Sequence, residues 1–310
     1  MASGSTKAII AALIANMGIA IAKFVGYVFT GSSSMLAEAI HSVADTVNQG
    51  LLLFGGYRSR RDATQQHPFG YGRERYFWAF VVSLILFTLG GLFAVYEGLK
   101  KLGESGHAIE NVQWAIGILL LGMLLEGYSF RTAVKESSPL KGRSSWWEFI
   151  RHSRHPELPV VLLEDLGALI GLVLALAGVS LSAVTGDSRW DAYGTIAIGV
   201  LLIAIAIVLA NEMKSLLIGE SAREPMRRSI VDAIERTDHV VRVLHMRTQH
   251  IGPEELLVAA KVEFDQRLNS EVLTEVIDRA EANVRDVTPI AKLIYIEPDF
   301  HDPNRPGVSG

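Results

Sequence analysis

The stretch SSSMLAEAIHSVADTVNQGLLLFGGY, Ser32 to Tyr57, is long enough to span a membrane as a helix, yet it carries four strongly polar side chains. They are Glu38, His41, Asp45 and Asn48, at spacings of 3, 4 and 3 residues, so they share one face of the helix. Ionisable groups at bilayer depth cost roughly 2.5–3.5 kcal/mol each, so this continuous polar stripe predicts a cavity or pathway. The His-x-x-x-Asp pair directs an imidazole and a carboxylate to one point, which is half of a tetrahedral zinc-like site. A buried polar contact between helices is the simpler alternative.

The composition of the full chain narrows the chemistry further. Its 310 residues are 49% hydrophobic, carry a net charge of −4 and include no cysteine. The small negative charge, without a basic stripe, argues against nucleic acid as a partner. Because thiolates are lacking, a transition-metal site must use His, Asp, Glu or Asn, which suits zinc, iron or manganese rather than copper(I). Neither His-Glu-x-x-His nor Gly-x-Ser-x-Gly occurs, so the sequence does not predict a membrane-embedded hydrolase or another enzyme.

Six apolar runs reach the roughly 20 residues that a transmembrane helix needs. They cover approximately residues 8–29, 35–57, 76–99, 112–133, 158–181 and 192–213. Arginine and lysine concentrate in the loops between the second and third runs and between the fourth and fifth. The positive-inside rule then predicts that these two loops and both termini are cytoplasmic. We therefore expect a six-helix membrane domain over residues 1–216 in a lipid bilayer, the inner cell membrane if the host is a bacterium.

The last third of the chain has the ordinary charged composition of a globular domain. Two runs of helical period and three β-rich runs follow one another in the order α-β-β-α-β, with the hairpin signal HIGPE at residues 250–254. This order predicts an α+β domain over residues 217–302, with the helices on one face of an antiparallel or mixed sheet. The polar residues 303–310 are predicted to be a disordered tail.

Three features together resemble the cation diffusion facilitator family of divalent-metal transporters. They are the segment SSSMLAEAIHSVADTVNQ, the loop HPFGYGRERYFWAF, and the membrane bundle followed by an α-β-β-α-β domain. The resemblance extends from Ala8 to about Asp299. It implies a homodimer of six-helix protomers, each with a cytoplasmic ferredoxin-like domain, that exchanges zinc or a related cation for protons. It also implies that His41 and Asp45 are metal ligands, because the second helix of the family supplies two of them.

The fifth predicted helix departs from the family pattern, in which His-x-x-x-Asp occurs a second time. Its sequence, PVVLLEDLGALIGL, contains no histidine. Alignment on Gly167–Ala168 puts Glu164 at the family Asp and Val160 at the family His. A shift of one residue would select Asp165 instead. Adjacent residues point about 100° apart on a helix, so one of the two carboxylates should face the metal squarely, and we favour Glu164.

The Glu-Asp pair also indicates a subgroup. Together with NQG after the second-helix motif and LLEGYSFRTAVKE on the fourth helix, it is similar to the branch related to the mitochondrial zinc exporters. The missing histidine leaves both the preferred metal and the complete ligand set open.

Other polar residues of the membrane helices are candidates for the pathway or its support. Glu38 and Asn48 belong to the stripe itself. Asn16 and Lys23 lie two turns apart on one face of the first helix, where we expect Lys23 to snorkel or to pair with a carboxylate. Glu126 on the fourth helix has either a structural or a proton-path role.

Weaker metal candidates lie outside the membrane helices. His67 occupies one position of a second family site, but Tyr71 stands where the other histidine would be, and packing of this loop on the C-terminal domain is the alternative. In that domain the candidate ligands of a regulatory metal site are His245, His250 and His301. Surface histidines beside strands are common, so an ordinary solvated position is the alternative for each.

The sequence thus predicts a secondary transporter that exports a divalent cation, zinc first, from the cytoplasm in exchange for protons. Metal binding needs deprotonated ligands, so metal and protons compete for one site, and alternating exposure of that site gives antiport. One imidazole with carboxylates suits four-coordinate zinc, while an oxygen-rich site would also accept manganese or iron(II). No cofactor is expected beside the transported cation. A transport-inactive metal sensor or scaffold is the alternative function.

Overall fold

The structure is a computed structural model that describes residues 2–103 and 111–300, with side chains from residue 16 onward. It divides into two compact units. The first comprises residues 1–57 and 74–214, and the second comprises residues 58–73 and 215–310. The loop 58–73 thus belongs with the C-terminal unit, while the predicted limits of 1–216 and 217–302 stay predictions. His301 and the predicted tail lie outside the described residues.

The first unit is helical throughout its described elements. Its helices are α1 Ala2–Thr30, α2 Ser33–Arg58, α3 Glu74–Ile85, α4 Phe93–Gly103, α5 Val112–Lys141, α6 Trp146–His152, α7 Glu157–Thr185 and α8 Arg189–Ile218. A π-helical segment, Leu86–Leu92, joins α3 to α4, so Glu74–Gly103 is one continuous helix. Among the described residues, four helices are long and apolar enough to cross a membrane, namely Glu74–Gly103, α5, α7 and α8. Asn16–Thr30 of α1 is a shorter apolar stretch, and α2, which carries the polar stripe, is not among the four.

The predicted helical membrane region is confirmed, but its helices run past the ends of the apolar sequence. α5 continues through charged residues to Lys141, and α6 occupies part of what the sequence predicts as a loop. A count of apolar residues predicts that a helix ends where charged residues begin. The backbone hydrogen bonds of the helix can nevertheless continue into water. The start of α6 does have a sequence signal, because Ser145 Oγ accepts a hydrogen bond from the backbone N of Glu148 at 3.1 Å, in a Ser-x-x-Glu capping pattern.

The second unit has the predicted α-β-β-α-β order of a ferredoxin-like domain. Its elements are α9 Glu224–Glu235, β1 Val240–Gly252, β2 Glu255–Phe264, α10 Ser270–Val287 and β3 Leu293–Pro298. The sheet order is β1-β2-β3, with β1 and β2 antiparallel and β2 and β3 parallel. The hairpin prediction is confirmed, and α10 is the crossover that a parallel pair requires. The core of this unit joins both helices to the central strand, with Ile234, Val258 and Val276 completely buried.

Glycines set the closest approaches between the membrane helices, because they let backbones meet. A Cβ added at Gly199 of α8 would lie 2.8 Å from the backbone O of Gly91 in the π-helical segment. A Cβ added at Gly171 of α7 would lie 2.7 Å from Oε1 of Glu38 on α2. Gly167, which anchored the sequence alignment, faces α8 rather than α2. These contacts fix α2, α7, α8 and the π-helical segment around the polar stripe.

Candidate functional site

The polar stripe of α2 lies inside the helix bundle, as its position on one face predicts. Glu38 and Asn48 are completely buried, His41 is 1% exposed and the side chain of Asp45 is 14% exposed. His41 Nδ1 lies 3.6 Å from Asp45 Oδ1, so the two side chains of the i,i+4 pair converge. The stripe therefore brings an imidazole and a carboxylate together in the interior of the unit.

A small cavity lies beside Asp45, with walls from α1, α2, α5 and α7. Its volume is about 10 Å³, which is room for a single water-sized particle. Its polar lining consists of Asn16, Ser42, Asp45, Gln49, Glu126, Glu164 and Asp165. Four of these seven side chains are carboxylates, the ligand type that divalent cations of hard or intermediate character favour.

The two adjacent carboxylates of α7 face different neighbours. Glu164 Oε1 accepts a hydrogen bond from Asn48 Nδ2 at 2.7 Å, whereas Asp165 Oδ2 accepts one from Ser129 Oγ at 2.9 Å. Glu164 is therefore oriented to α2 and Asp165 to α5, although both border the cavity. This difference follows from the turn of about 100° between successive helical residues.

His41 does not border the cavity. Its Nδ1 lies 3.8 Å from where a Cβ on Gly90 would be, so the ring packs against the π-helical segment. Neither ring nitrogen has a hydrogen-bond partner among the described residues. Segments of π-helix recur at functional sites, and this one was not predicted from the sequence.

The described His, Asp and Glu side chains include no group of three that already converges as a metal site. The α2 residues His41 and Asp45 and the α7 residues Glu164 and Asp165 thus lie in one buried region without forming a complete coordination shell. A cation entering the cavity would have to draw side chains toward itself.

Lys23 of α1 forms a buried ion pair beside the cavity. Its Nζ donates to Glu38 Oε2 at 3.0 Å and to Ser42 Oγ at 2.7 Å, and both Lys23 and Glu38 are completely buried. Of the two expectations for Lys23, snorkelling or pairing with a carboxylate, the structure shows the pairing. The pair neutralises Glu38, which itself lies outside the cavity lining.

A second buried carboxylate, that of Asp191, connects the start of α8 to the start of α2 and the end of α4. Asp191 of α8 accepts hydrogen bonds from Ser32 Oγ, the backbone N of Ser33 and Lys101 Nζ, each at 2.8 Å. Lys101 also donates to the backbone O of Gly31, whose φ of +61° makes the turn between α1 and α2. This network was not predicted from the sequence, in which an aspartate at the start of an apolar helix is its signal.

The weaker metal candidates occupy separate places in the second unit. The ring of His67 lies 4.7 Å from that of Tyr71 in the loop 58–73. His245 Nε2 accepts a hydrogen bond from Arg247 Nε at 3.1 Å, and the backbone N of His250 donates to Glu220 O at 2.8 Å. In the part of the chain that the structure describes, none of the three histidines joins a group of three potential ligands. Their metal binding stays a prediction.

Comparison with known proteins adds independent information. The family model of the cation efflux transmembrane domain matches residues 9–218. The mitochondrial proton-coupled zinc antiporter SLC30A9 of Xenopus laevis is 33% identical over 269 residues, which are 86% of this chain and 48% of that protein. Metal tolerance protein C4 of Arabidopsis thaliana is 31% identical over 268 residues, 85% of this chain and 58% of that protein. The chain therefore spans about half the length of these relatives.

Two further similarities come from magnetosome proteins. MamB of a Magnetospira species is 26% identical over 285 residues, which are 89% of this chain and 91% of that protein. A solved structure of the MamM C-terminal domain in its nickel form is 20% identical, covers 26% of this chain and all of that domain, and has a TM-score of 0.24.

Proposed function

Because the chain belongs to the cation diffusion facilitator family of metal transporters, we propose that it exports a divalent cation, zinc first, from the cytoplasm in exchange for protons. The observation that carries the proposal is the buried cavity lined by Asp45, Glu164 and Asp165 inside a membrane protein. The named activity of the SLC30A9 relatives, proton-coupled zinc antiport, supports both the cargo and the counter-ion.

We propose Asp45, Glu164 and His41 as the cargo ligands. Asp45 and Glu164 already border the cavity, and the hydrogen bond from Asn48 holds Glu164 on the side of α2. His41 Nδ1 lies 3.6 Å from Asp45 but outside the cavity lining, so the ring must move toward the cavity when a cation arrives. That movement breaks no hydrogen bond with the described residues, because neither ring nitrogen has one. Asp165 of α7, held by Ser129 of α5, is proposed to support the site on the side that faces α5.

The coupling to protons follows from the nature of these ligands. A metal ion binds ionised carboxylates and a neutral imidazole, so its binding displaces protons and protonation releases it. If the cavity opens alternately to the two sides of the membrane, an inward proton gradient drives metal outward. Lys23 adds a fixed positive charge that offsets Glu38, which leaves the cavity carboxylates to exchange metal for protons.

Manganese or iron(II) is the second candidate cargo, and the number of oxygen donors around the cavity favours it. The helix α7 supplies two carboxylates and no imidazole to the cavity. Oxygen-rich sites suit these harder cations, whereas zinc accepts nitrogen and oxygen ligands in four-coordinate geometry.

Transport into proteoliposomes tests the proposal. The purified chain is reconstituted, a pH gradient is imposed, and uptake of zinc, manganese, iron(II) and cobalt is measured in turn. We expect uptake that depends on the gradient and is fastest for zinc. Binding of metal without movement would favour a sensor or scaffold instead.

The variant Asp45→Asn is predicted to abolish uptake while the protein stays folded and inserted, because the amide keeps the shape but loses the charge that binds metal and accepts a proton. Asp62→Asn, an exposed aspartate in the loop 58–73, is the matched control and should transport normally. Wild-type flux through folded Asp45→Asn would contradict the ligand assignment.

A further inference from the structure

We propose that Glu126 of α5 is a further cargo-contacting carboxylate that sets the preference between zinc and harder cations such as manganese. The family pattern places ligands on the second and fifth membrane helices, so a residue on α5, the fourth, is an addition to it. The inference rests on the proposed function, since it concerns the same cavity.

Glu126 borders the cavity from a wall that the family ligands do not occupy. It shares the cavity with Asp45 and both carboxylates of α7. It lies three residues before Ser129, whose hydroxyl reaches Asp165, so both side chains stand on the α7-facing side of α5. The position of Glu126 is therefore fixed by the contact between α5 and α7.

The carboxylate of Glu126 is available for a ligand. Glu38, Glu164 and Asp165 each accept a hydrogen bond from a protein donor. In contrast, no hydrogen bond or ion pair within the described part of the chain engages Glu126, although it is near enough to Lys23 for their charges to interact. A carboxylate that faces a cavity and accepts no hydrogen bond from the protein is suited to a cation that enters that cavity.

The chemistry of α7 indicates why such a carboxylate would matter. Val160, at the family His in our alignment, is completely buried and not part of the cavity lining, and Val161, which does line it, offers only methyl groups. The cavity lining thus includes no imidazole from α7 or from His41, and it gains an oxygen donor from Glu126. Zinc is satisfied by four ligands, whereas manganese prefers about six oxygen-rich ones, so manganese should depend on Glu126 more strongly.

The test is a titration of the full chain in detergent with manganese and with zinc. Glu126→Gln should weaken manganese binding by about tenfold or more and zinc binding by about threefold or less. Glu136→Gln, an exposed glutamate on the same helix, is the matched control and should leave both affinities unchanged. The visible absorption of bound cobalt(II), which reports its coordination, should change in Glu126→Gln and not in Glu136→Gln.

Asp45→Asn separates this inference from the proposed function. If Asp45→Asn loses binding of both metals while folded Glu126→Gln keeps wild-type manganese affinity, the role of Glu126 is overturned and the proposed site stands. If Asp45→Asn binds both metals normally, the proposed site itself fails. An equal loss of both metals in Glu126→Gln also overturns the inference, since it indicates only a change in the overall charge of the cavity.

Glu126→Asp covers the case in which the amide variant does not fold. Its shorter side chain keeps the charge but withdraws the oxygens, so manganese affinity should fall and the cobalt spectrum should shift. An unchanged spectrum with unchanged manganese affinity would again overturn the assignment.

Discussion

Glu164 and Asp165 are adjacent in sequence, but they differ in partner, since Asn48 of α2 holds the first and Ser129 of α5 holds the second. We predict that Glu164→Gln weakens zinc binding about tenfold or more, because it removes a charged ligand on the side of His41 and Asp45. Asp165→Asn should weaken it by a smaller factor. Titration calorimetry on the two purified variants measures the difference.

Each of these variants is the control for the other, because both exchange one cavity carboxylate for an amide. Loss of binding in Asp165→Asn with retention in Glu164→Gln would mean that the sequence alignment is shifted by one residue. Retention of binding in both would show that α7 does not contribute ligands in the way proposed.

The part of the site that lies within a single helix could be predicted from the sequence. The spacing of His41 and Asp45 predicted a convergent pair, and the observed separation of 3.6 Å confirms it. The orientation of His41 toward Gly90 could not be predicted, because it depends on how a π-helical segment from another part of the chain packs against α2. Glu126 was recognisable in the sequence as an acidic residue in an apolar helix. Its position beside the same cavity as Asp45 could not be predicted, because it depends on how α5 packs in the bundle.

At the level of elements, α8 approaches the backbone closely where the π-helical segment continues into α4. A Cβ at Gly199 would lie 2.7 Å from the backbone N of Val95 and 2.8 Å from Gly91 O, and neither backbone atom can move aside freely. We predict that Gly199→Ala destabilises the protein by about 1–3 kcal/mol, the usual range for an overpacked interior. Thermal unfolding in detergent measures the change.

The control substitution is Gly117→Ala on α5, where an added Cβ meets no atom within 4 Å. Alanine is the better helix former by up to about 1 kcal/mol, so this variant should be neutral or slightly stabilised. Equal stabilities of the two variants would contradict the close approach of α8 to Gly91.

The long helices and the three strands were predictable in type and order because they depend on local patterns, whereas α6 was not predicted. The length of the apolar runs predicted the membrane helices, and the α-β-β-α-β order predicted the C-terminal domain. The helix ends were not predictable, since α5 extends through charged residues to Lys141. The π-helical segment and the Asp191 network both arise from contacts between distant segments, which no local pattern encodes.

For the whole molecule, membership of the family predicts a homodimer to which residues 217–301 contribute. Light scattering in detergent should give twice the mass of one chain, and a chain truncated after Ile218 should dissociate at a higher concentration. A closed twofold pair is the commonest symmetric assembly, so no larger species is expected. A full-length monomer at working concentrations would contradict this prediction.

The second unit has a core of its own, which predicts that the fragment 215–300 folds without the membrane helices. Val258 lies completely buried on the central strand β2, in the core that also contains residues of α9 and α10, whereas Val241 on the edge strand β1 is 57% exposed. The same substitution at the two sites therefore tests whether that core stabilises the fragment. We expect Val258→Ala to lower its free energy of unfolding by about 1.5–3 kcal/mol in urea titrations, from lost burial and an unfilled cavity. Val241→Ala should change it by no more than about 0.5 kcal/mol. A fragment that unfolds without a cooperative transition would instead mean that the loop 58–73, whose Gly72 packs against Gly252, is a necessary part of this unit.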